Sequence, residues 1–346
     1  MTVKEIAKIC NVSPATVSNI LNGRHKASAE TVERVMEVVR STNYRPNPMA
    51  KSLRTKVTKT IGIIAEDIAQ FTTPDILEGL MAVLEDAGYK TLCINLRLYA
   101  RWGDVWYNSE ESIQSVLRPA IEELKSVQID GAVYIAGHVR NIKGFCEAIG
   151  VPNVITHAYS DRGVTASVML DDVDGGYRIT QYLIDHGHRN IGFVGGQSDN
   201  AHTVRRLEGY RRALKEAGIK YDSNLVMFGN WERISGAQCM DCLLTQRKKI
   251  TAVFSVSDQM AGGVYDSLEA HGLRAGRDIS VVGYDDMVIA RYFRPGLTTM
   301  RMRLKEMGQK SGEMLLDMLS GSEQYQGKQV YLPCELVERE SVGTLN

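Results

Sequence analysis

The pattern of apolar and polar positions changes character once along this chain. Through about residue 42, apolar residues recur at helical spacing. Val3, Ile6, Ala7 and Cys10 share one face of a first helix. The capping box Thr2-Val3-Lys4-Glu5 opens it and Asn11 stops it. Ser13 and Pro14 suit the N-cap and first turn of a second helix, with Val17, Ile20 and Leu21 as its buried stripe and Asn22-Gly23 as its end. A third helix begins after Ser28, carries Val32, Val35, Met36 and Val39 on one face, and runs to about Thr42. From Lys59 onward, short apolar runs alternate with helical stretches. "TIGIIAE", "KTLCINL", "GAVYIAG", "NVITHA", "SVMLDD", "NIGFVGG", "LVMFG", "TAVFSVS" and "ISVVGYD" read as buried parallel strands. Helices are expected between them, for example Asp75–Ala87, Gly175–His186, Val204–Glu216 and Asp258–His271. So many strands suit two open sheets better than one, and the body reads as two doubly wound α/β halves.

Two short helices joined by a tight turn and braced by a third form a helix-turn-helix pattern. The face of the second helix left over by its apolar stripe carries Pro14, Ala15, Thr16, Ser18 and Asn19. These side chains are small and uncharged, so the helix can approach base edges closely. Ala and Thr methyls suit thymine, and Asn19 suits adenine. Charge sharpens this picture. The 346 residues hold 41 Lys+Arg and 41 Asp+Glu. Through Lys59 the count is 11 basic to 4 acidic, leaving 30 to 37 beyond it. A basic head on an acidic body fits a polyanion that meets the head alone. Between them, "RPNPMAKSLRTKVTK" is either a flexible basic linker or one or two helical turns from Pro48 to Arg54, too short to persist without a partner.

Other classes are disfavoured. No run reaches the roughly 18 apolar residues of a membrane helix, and "MTVKEIAKIC" lacks the apolar core of a signal peptide. A cytosolic protein with no membrane partner is expected. Of the six cysteines only Cys239 and Cys242 have CxxC spacing, so buried, reduced thiols are expected rather than a metal site. "GFVGGQSDN" is glycine-rich but has neither a phosphate-loop lysine nor full G-x-G-x-x-G spacing. With no catalytic constellation either, the expectation is a binding protein without a cofactor, not an enzyme.

"TVKEIAKICNVSPATVSNILNG", followed by "TVERVMEVVRSTNYRPNPMAKSLRTKVTKTIGII", closely resembles the head of the LacI/GalR family of bacterial transcription regulators. The resemblance covers essentially the whole chain. It implies an all-α helix-turn-helix head over residues 1–45 and a hinge helix or linker over 46–58. The α/β body, 59–346, would bind effector and dimerise, with two doubly wound parallel-sheet subdomains resembling periplasmic sugar-binding proteins. The expected N-subdomain is about 59–161 and 290–321, and the C-subdomain about 162–289 and 322–346, with the chain crossing near Asp172, near Met287 and near Ser320–Gln326. In the head, the resemblance implies operator contacts from Thr2, Ser13, Pro14, Ala15, Thr16, Ser18 and Asn19. In the hinge it implies contacts from Lys51, Leu53 and Arg54, with Leu53 wedged into the minor groove.

Ligands of open α/β sheets bind at the carboxyl ends of strands. With the resemblance, that rule selects Asp285 in "GYDD", Arg206 in "HTVRRLEGY" as a bidentate donor, and Trp231 in "GNW" as a stacking aromatic. His157 and Ser257 end two further strands. The competing readings are structural: an Asp285 cap, an Arg206–Asp285 pair, a core Trp231, a hydrogen-bonded core His157. After the first strand, Phe71 replaces the family's proline and Thr72-Thr73 its two aromatics, so Phe71 and Thr73 are expected at an altered cleft wall. Leu96–Ser112 is longer and more aromatic than the family's segment; Trp102, Trp106 and Tyr107 could cover the cleft or pack elsewhere. The function implied is a homodimeric repressor of a pseudo-palindromic DNA operator, controlled and relieved by a sugar or sugar derivative in the cleft. The alternatives are a corepressor-dependent repressor or an activator answering to a nucleobase or sugar acid, and, more remotely, a carbohydrate transport protein.

Overall fold

Side-chain caps set the three N-terminal helices, α1 (Val3–Ile9), α2 (Pro14–Leu21) and α3 (Ala29–Ser41). The Glu5 N–H donates to Thr2 Oγ1 at 3.3 Å, and the Thr2 N–H donates to the Glu5 carboxylate at 2.7 Å. Ser13 Oγ accepts the Thr16 N–H at 3.0 Å, and Ser28 caps α3 in the same way. Helix α2 ends at Gly23, where φ is +67° and a Cβ would touch nothing, so glycine is required there by backbone conformation alone. Ile6, Ala7, Cys10, Val17, Ile20 and Val35 close the small core.

The computed structural model describes residues 1–44, 57–103, 109–161 and 165–345. The hinge positions Lys51, Leu53 and Arg54 lie outside the described residues, as do Trp106 and Tyr107. The chain divides into two units, Met1–Lys59 and Thr60–Asn346.

In the second unit the strands are β1 (Thr60–Ala65), β2 (Lys90–Asn95), β3 (Gly131–Ile135), β4 (Asn153–Thr156), β5 (Ala166–Leu170) and β6 (Ile191–Gly195). Then follow β7 (Val226–Phe228), β8 (Ala252–Ser255), β9 (Ser280–Asp285), β10 (Thr298–Arg301), β11 (Gln329–Leu332) and β12 (Glu335–Val337). The helices are α4 (Thr73–Asp86), α5 (Leu98–Trp102), α6 (Glu110–Ser126), α7 (Phe145–Ile149), α8 (Asp172–Asp185), α9 (Ala201–Glu216), α10 (Arg233–Leu244), α11 (Asp258–Ala270) and α12 (Leu304–Leu319).

Two six-stranded sheets result, in the orders β11-β5-β4-β3-β1-β2 and β12-β10-β9-β8-β6-β7. All pairs are parallel except β10 with β12. The strands are short and nearly continuous in apolar residues because helices cover both sheet faces. In β1, Ile61 and Ile63 join the cluster that runs through both halves, while Ile64 faces a second cluster with Leu117, Ile121 and Phe145.

The chain crosses between the sheets at Asp171, at Met302–Arg303 and at Pro333–Cys334. The crossing expected near Asp172 falls where the structure has it, whereas the border near 161 and the crossings expected near 287–289 and 320–326 are too early. Strand β5 belongs to the first sheet and β10 to the second, and β11 returns to the first before the last crossing. Each strand completes its ladder before the chain leaves. In β11 exposed positions alternate with half-buried ones, which hides an edge strand among the polar residues before it. The crossings lie side by side: the Asp171 N–H donates to Leu332 O at 2.9 Å, and Arg301 pairs with Glu335 across β10 and β12.

Helices α8 and α9 meet through glycine. A Cβ on Gly176 would stand 2.4 Å from Arg206 O, and one on Gly209 would stand 2.2 Å from Val173 O. Only glycine permits this approach, which brings Asp172 against Arg206. Gly209→Ala is expected to destabilise the fold by about 1–3 kcal/mol through overpacking. Urea unfolding of the full chain checks this; an unchanged midpoint would show that the helices separate freely.

Candidate functional site

Each sheet follows the doubly wound order in which the strand direction of winding reverses between its first and third strands, β1 and β3 in one, β6 and β8 in the other. Crevices at such reversals receive ligands. A cavity of about 460 Å³ lies where the two reversals face each other. The chain after β1 contributes Asp67, Gln70, Phe71 and Thr72; the chain after β3, Gly137 and His138; the chain after β6 and β8, Gln197 and Ser257.

Six of the seven expected effector residues line this cavity: Phe71, His157, Arg206, Trp231, Ser257 and Asp285. Thr73 does not. It is the first residue of α4 and is buried away from the cavity, while its neighbour Thr72 lines it. The turn from Asp67 to Gln70 sets this one-residue register, the Thr73 N–H donating to Gln70 O at 3.0 Å. Ser257 has a second task, since its Oγ accepts the Met260 N–H as the N-cap of α11. Tyr99 and Ala100 of α5 also line the cavity, while Leu98 is fully buried and Trp102 packs against the second cluster.

Arg206 is the centre of the site. Its Nε donates to Asp172 Oδ1 at 2.8 Å and its Nη1 to Val256 O at 2.6 Å, while Nη2 faces the Met302 thioether at 3.8 Å. The guanidinium lies 3.6 Å from the Tyr284 ring centroid and its Nη1 stands 3.6 Å from Asp285 Oδ1. The structural pairing of Arg206 is thus mainly with Asp172, two residues past β5 and the first residue of α8. Burial alone would raise the Asp172 carboxyl, but Arg206 and His202 hold it well below the usual carboxylate range. Burial pushes Asp285 up to about 7, against the pull of Arg206 and with the added repulsion of Asp172.

His202, one turn before Arg206 on the same face of α9, joins the two halves. Its Nδ1 lies 2.8 Å from Asp172 Oδ2, and its Nε2 accepts the Val139 N–H at 3.4 Å. Its ring centroid lies 5.0 Å from that of His157. The loop bearing Val139 is fixed from below: buried Glu66 accepts the Tyr134 hydroxyl at 2.7 Å and the Gly137 N–H at 2.5 Å, and pairs with Arg140.

Three cavity residues hold backbone conformations that L-residues rarely adopt: His157 with φ 64°, Trp231 with φ 73° and Asp285 with φ 114°. Such strain gathers at functional sites. The Trp231 indole lies so close over Gly196 that a Cβ there would come within 2.3 Å of the ring. Polar atoms left without a partner point the same way. Thr72 Oγ1, His157 Nε2 and Trp231 Nε1 are buried and make no hydrogen bond. Among the described residues, no group of His, Cys, Asp and Glu has the geometry of a metal site.

Sequence reasoning missed Asp67, His138 and Gln197, all at strand ends, where the same rule could have found them. It also missed His202, whose spacing of four from Arg206 places both on one helix face.

In the head, Pro14, Ala15 and Asn19 are exposed on α2, with Thr16 and Ser18 half-buried. Thr2 and Ser13 are exposed caps. Lys4, Lys8, Arg24 and Lys26 stand exposed around them.

The titration of the site has a sign. Burial, aided by His202, pushes His157 down to about 3, and burial, aided by His202, His157 and Arg140, pushes His138 down to about 3. In the unfolded chain both take up protons near 6.5, so this part of the stability is present above 6.5 and is lost as pH falls toward 3. The slope is on the order of 1 kcal/mol per pH unit for each ring. His157→Gln is expected to lose less stability than the parent between pH about 7.5 and about 5 in urea titrations; equal losses would show that His157 is protonated in the native state.

Comparison with known proteins places these features. Residues 2–47 match the model for bacterial regulatory proteins, lacI family, and residues 180–342 match the periplasmic binding protein-like domain. The chain is 32% identical over 345 residues to the ribose operon repressor of Haemophilus influenzae, covering 99% of each chain. It is 29% identical to the transcriptional repressor PurR of Vibrio atlanticus, covering 100% of this chain and 99% of that one. Among solved structures, the transcriptional regulator CelR–cellobiose complex matches with a TM-score of 0.68 at 27% identity over 99% of both chains. The lac repressor dimer bound to operator has the same fold, with a TM-score of 0.81 at 24% identity and 99% coverage of both. With an exposed, uncharged helix-turn-helix face in its first unit, a doubly wound α/β second unit and a relative 32% identical over 99% of its length, this chain belongs to the lacI family of bacterial regulatory proteins.

Proposed function

We propose that this protein is a cytoplasmic, homodimeric repressor whose hold on a pseudo-palindromic operator is set by a small carbohydrate in the body cavity. The observation that supports it most is the cavity itself. It lies at the facing reversals of two sheets, holds three strained residues, and presents buried polar atoms with no protein partner. Its volume falls in the range of about 300–1,000 Å³ usual for small-molecule sites. Trp231 and Phe71 supply apolar faces for a sugar ring, while Asp285, Arg206, His157, Thr72 and Ser257 supply hydroxyl partners. Tyr99 on α5 adds a further aromatic wall, which gives the extended segment after β2 a role at the cleft. The 32% identical relative is named for ribose and the CelR structure holds cellobiose, which favours a carbohydrate over a nucleobase or sugar acid.

In the head, α2 reads base edges through Pro14, Ala15, Thr16, Ser18 and Asn19, and Thr2 and Ser13 sit at helix N-termini suited to phosphate. Lys51, Leu53 and Arg54 act in the minor groove, Leu53 as the wedge. With few donors on Pro14 and Ala15, site choice leans on Asn19 and Leu53. The effector acts only through its unequal affinity for two arrangements of the body halves. Ligand binding that lowers operator affinity makes it an inducer, the reading favoured for a sugar.

Two measurements test this. At fixed salt, Leu53→Ala and Asn19→Ala are each expected to weaken operator binding by about tenfold, a loss on the kcal/mol scale; affinities within about twofold of the parent would remove those residues from the interface. In a thermal-shift screen against sugars, Trp231→Ala is expected to abolish the response of the parent chain. At a concentration about a hundred times its Kd, a ligand stabilises by about 2.7 kcal/mol. A variant that still responds as the parent does would place the ligand elsewhere.

A further inference from the structure

We infer that the cavity selects an uncharged, hydroxyl-rich ligand and rejects the anionic derivatives of that same ligand. The inference rests on reading the cavity as the effector site and adds the charge of the effector to that reading.

Among the described residues, Arg206 is the one Lys or Arg that lines the cavity. Its charge is already engaged. Asp172 takes its Nε hydrogen bond, the Val256 carbonyl takes Nη1, and Asp285 stands 3.6 Å away. A guanidinium so placed behaves as half of a buried ion pair and has little attraction left for a second anion. Three carboxyl groups also face the cavity: Asp67, Glu232 and Asp285. Asp67 is nearly fully buried and turned by its own loop, its Oδ1 accepting the Ala69 N–H at 3.1 Å. Glu232 lies exposed at the rim and accepts from Gln259 at 3.2 Å. A phosphate or carboxylate entering here would meet the Asp67 carboxylate, the rim charge of Glu232 and a partly ionised Asp285, with no unpaired cation to offset them, in a largely buried space where unpaired charge is costly.

The unpartnered atoms ask for a different chemistry. His157 Nδ1 donates to the Ala136 carbonyl at 3.1 Å, which leaves its buried Nε2 as a bare acceptor. Trp231 Nε1 can only donate, and Thr72 Oγ1 can do either. Arg206 Nη2, held only by a thioether, is one more donor. A hydroxyl group both donates and accepts, so the hydroxyls of a neutral polyol can satisfy all of these, whereas a carboxylate or phosphate group put in place of one of them offers acceptors alone and cannot donate to His157 Nε2. His138 and His157 supply no compensating charge, because burial pushes both rings down to about 3, and the third lining histidine, His202, is taken up by Asp172 on one side and by the Val139 N–H on the other.

The test uses the full chain and matched ligands: ribose, glucose and cellobiose, each with its aldonate and its terminal phosphate ester, plus adenine. Isothermal titration calorimetry reads affinity, and operator fluorescence anisotropy reads the response. A neutral sugar is expected to bind, with its aldonate and phosphate at least about tenfold weaker. Glu232→Gln is expected to narrow that gap, since it removes one rim charge and leaves the buried atoms in place. If the aldonate or phosphate binds as well as the sugar or better, the charge inference is overturned and the carbohydrate reading stands. If the gap is unchanged by Glu232→Gln and also by Asp67→Asn, charge is not its cause and the inference fails. If only adenine binds, or nothing does, the carbohydrate reading falls and the inference with it.

Discussion

The body is organised around the ion pair between Arg206 and Asp172. Asp172 begins α8 at the first residue after a crossing between the sheets, and Arg206 reaches it from α9 across a glycine contact. The same guanidinium touches the end of β8 through Val256, β9 through Tyr284, and the second crossing through Met302. Burying both charges is costly, and removing either partner strands the other at about 3–5 kcal/mol. The pair therefore fixes geometry more than it adds stability. His202 extends it to the other half, since the carboxylate that holds Arg206 also holds the ring that accepts from Val139.

Around this fixed point the cavity is built from strain and unmet hydrogen-bonding capacity. Positive φ at His157, Trp231 and Asp285 aims three side chains into one space at a cost in backbone energy. The neutral, buried His157 and the raised Asp285 show the same tension in their titration. A protein optimised for stability alone would have relieved these. Their persistence at the ends of three different strands fits a site that waits for a ligand to complete it.

Much of this was legible in the chain, and the parts that were not share a cause. The caps Thr2, Ser13 and Ser28 and the stop at Gly23 are local events, and local chemistry announces them. Asp285 and Trp231 were legible because a strand end is recognisable and its next residue faces the crevice. The lone error at the cavity, Thr73 for Thr72, is a one-residue register set by a turn. Asp172 stayed hidden because its partner lies 34 residues away, and the link between them is a helix contact. The borders near 161, 289 and 321 failed because β5 and β10 each stay in the sheet of the strand before them, and short β11 returns to pair with β5, about 160 residues earlier. Locally β10 and β11 resemble loops, while β5 reads as a strand whose sheet the local sequence does not name.

The three adjacent crossings have a mechanical consequence. Two lobes joined by one strand could tilt in any direction. Joined at Asp171, Met302–Arg303 and Pro333–Cys334, with the first and third bonded to each other, they retain one easy rotation, about the line of the crossings. The state of the body then reduces to a single angle. A ligand of one shape can close that angle and a ligand of another can hold it open, so the sign of the regulatory response is written in the shape of the effector rather than in the architecture of the hinge.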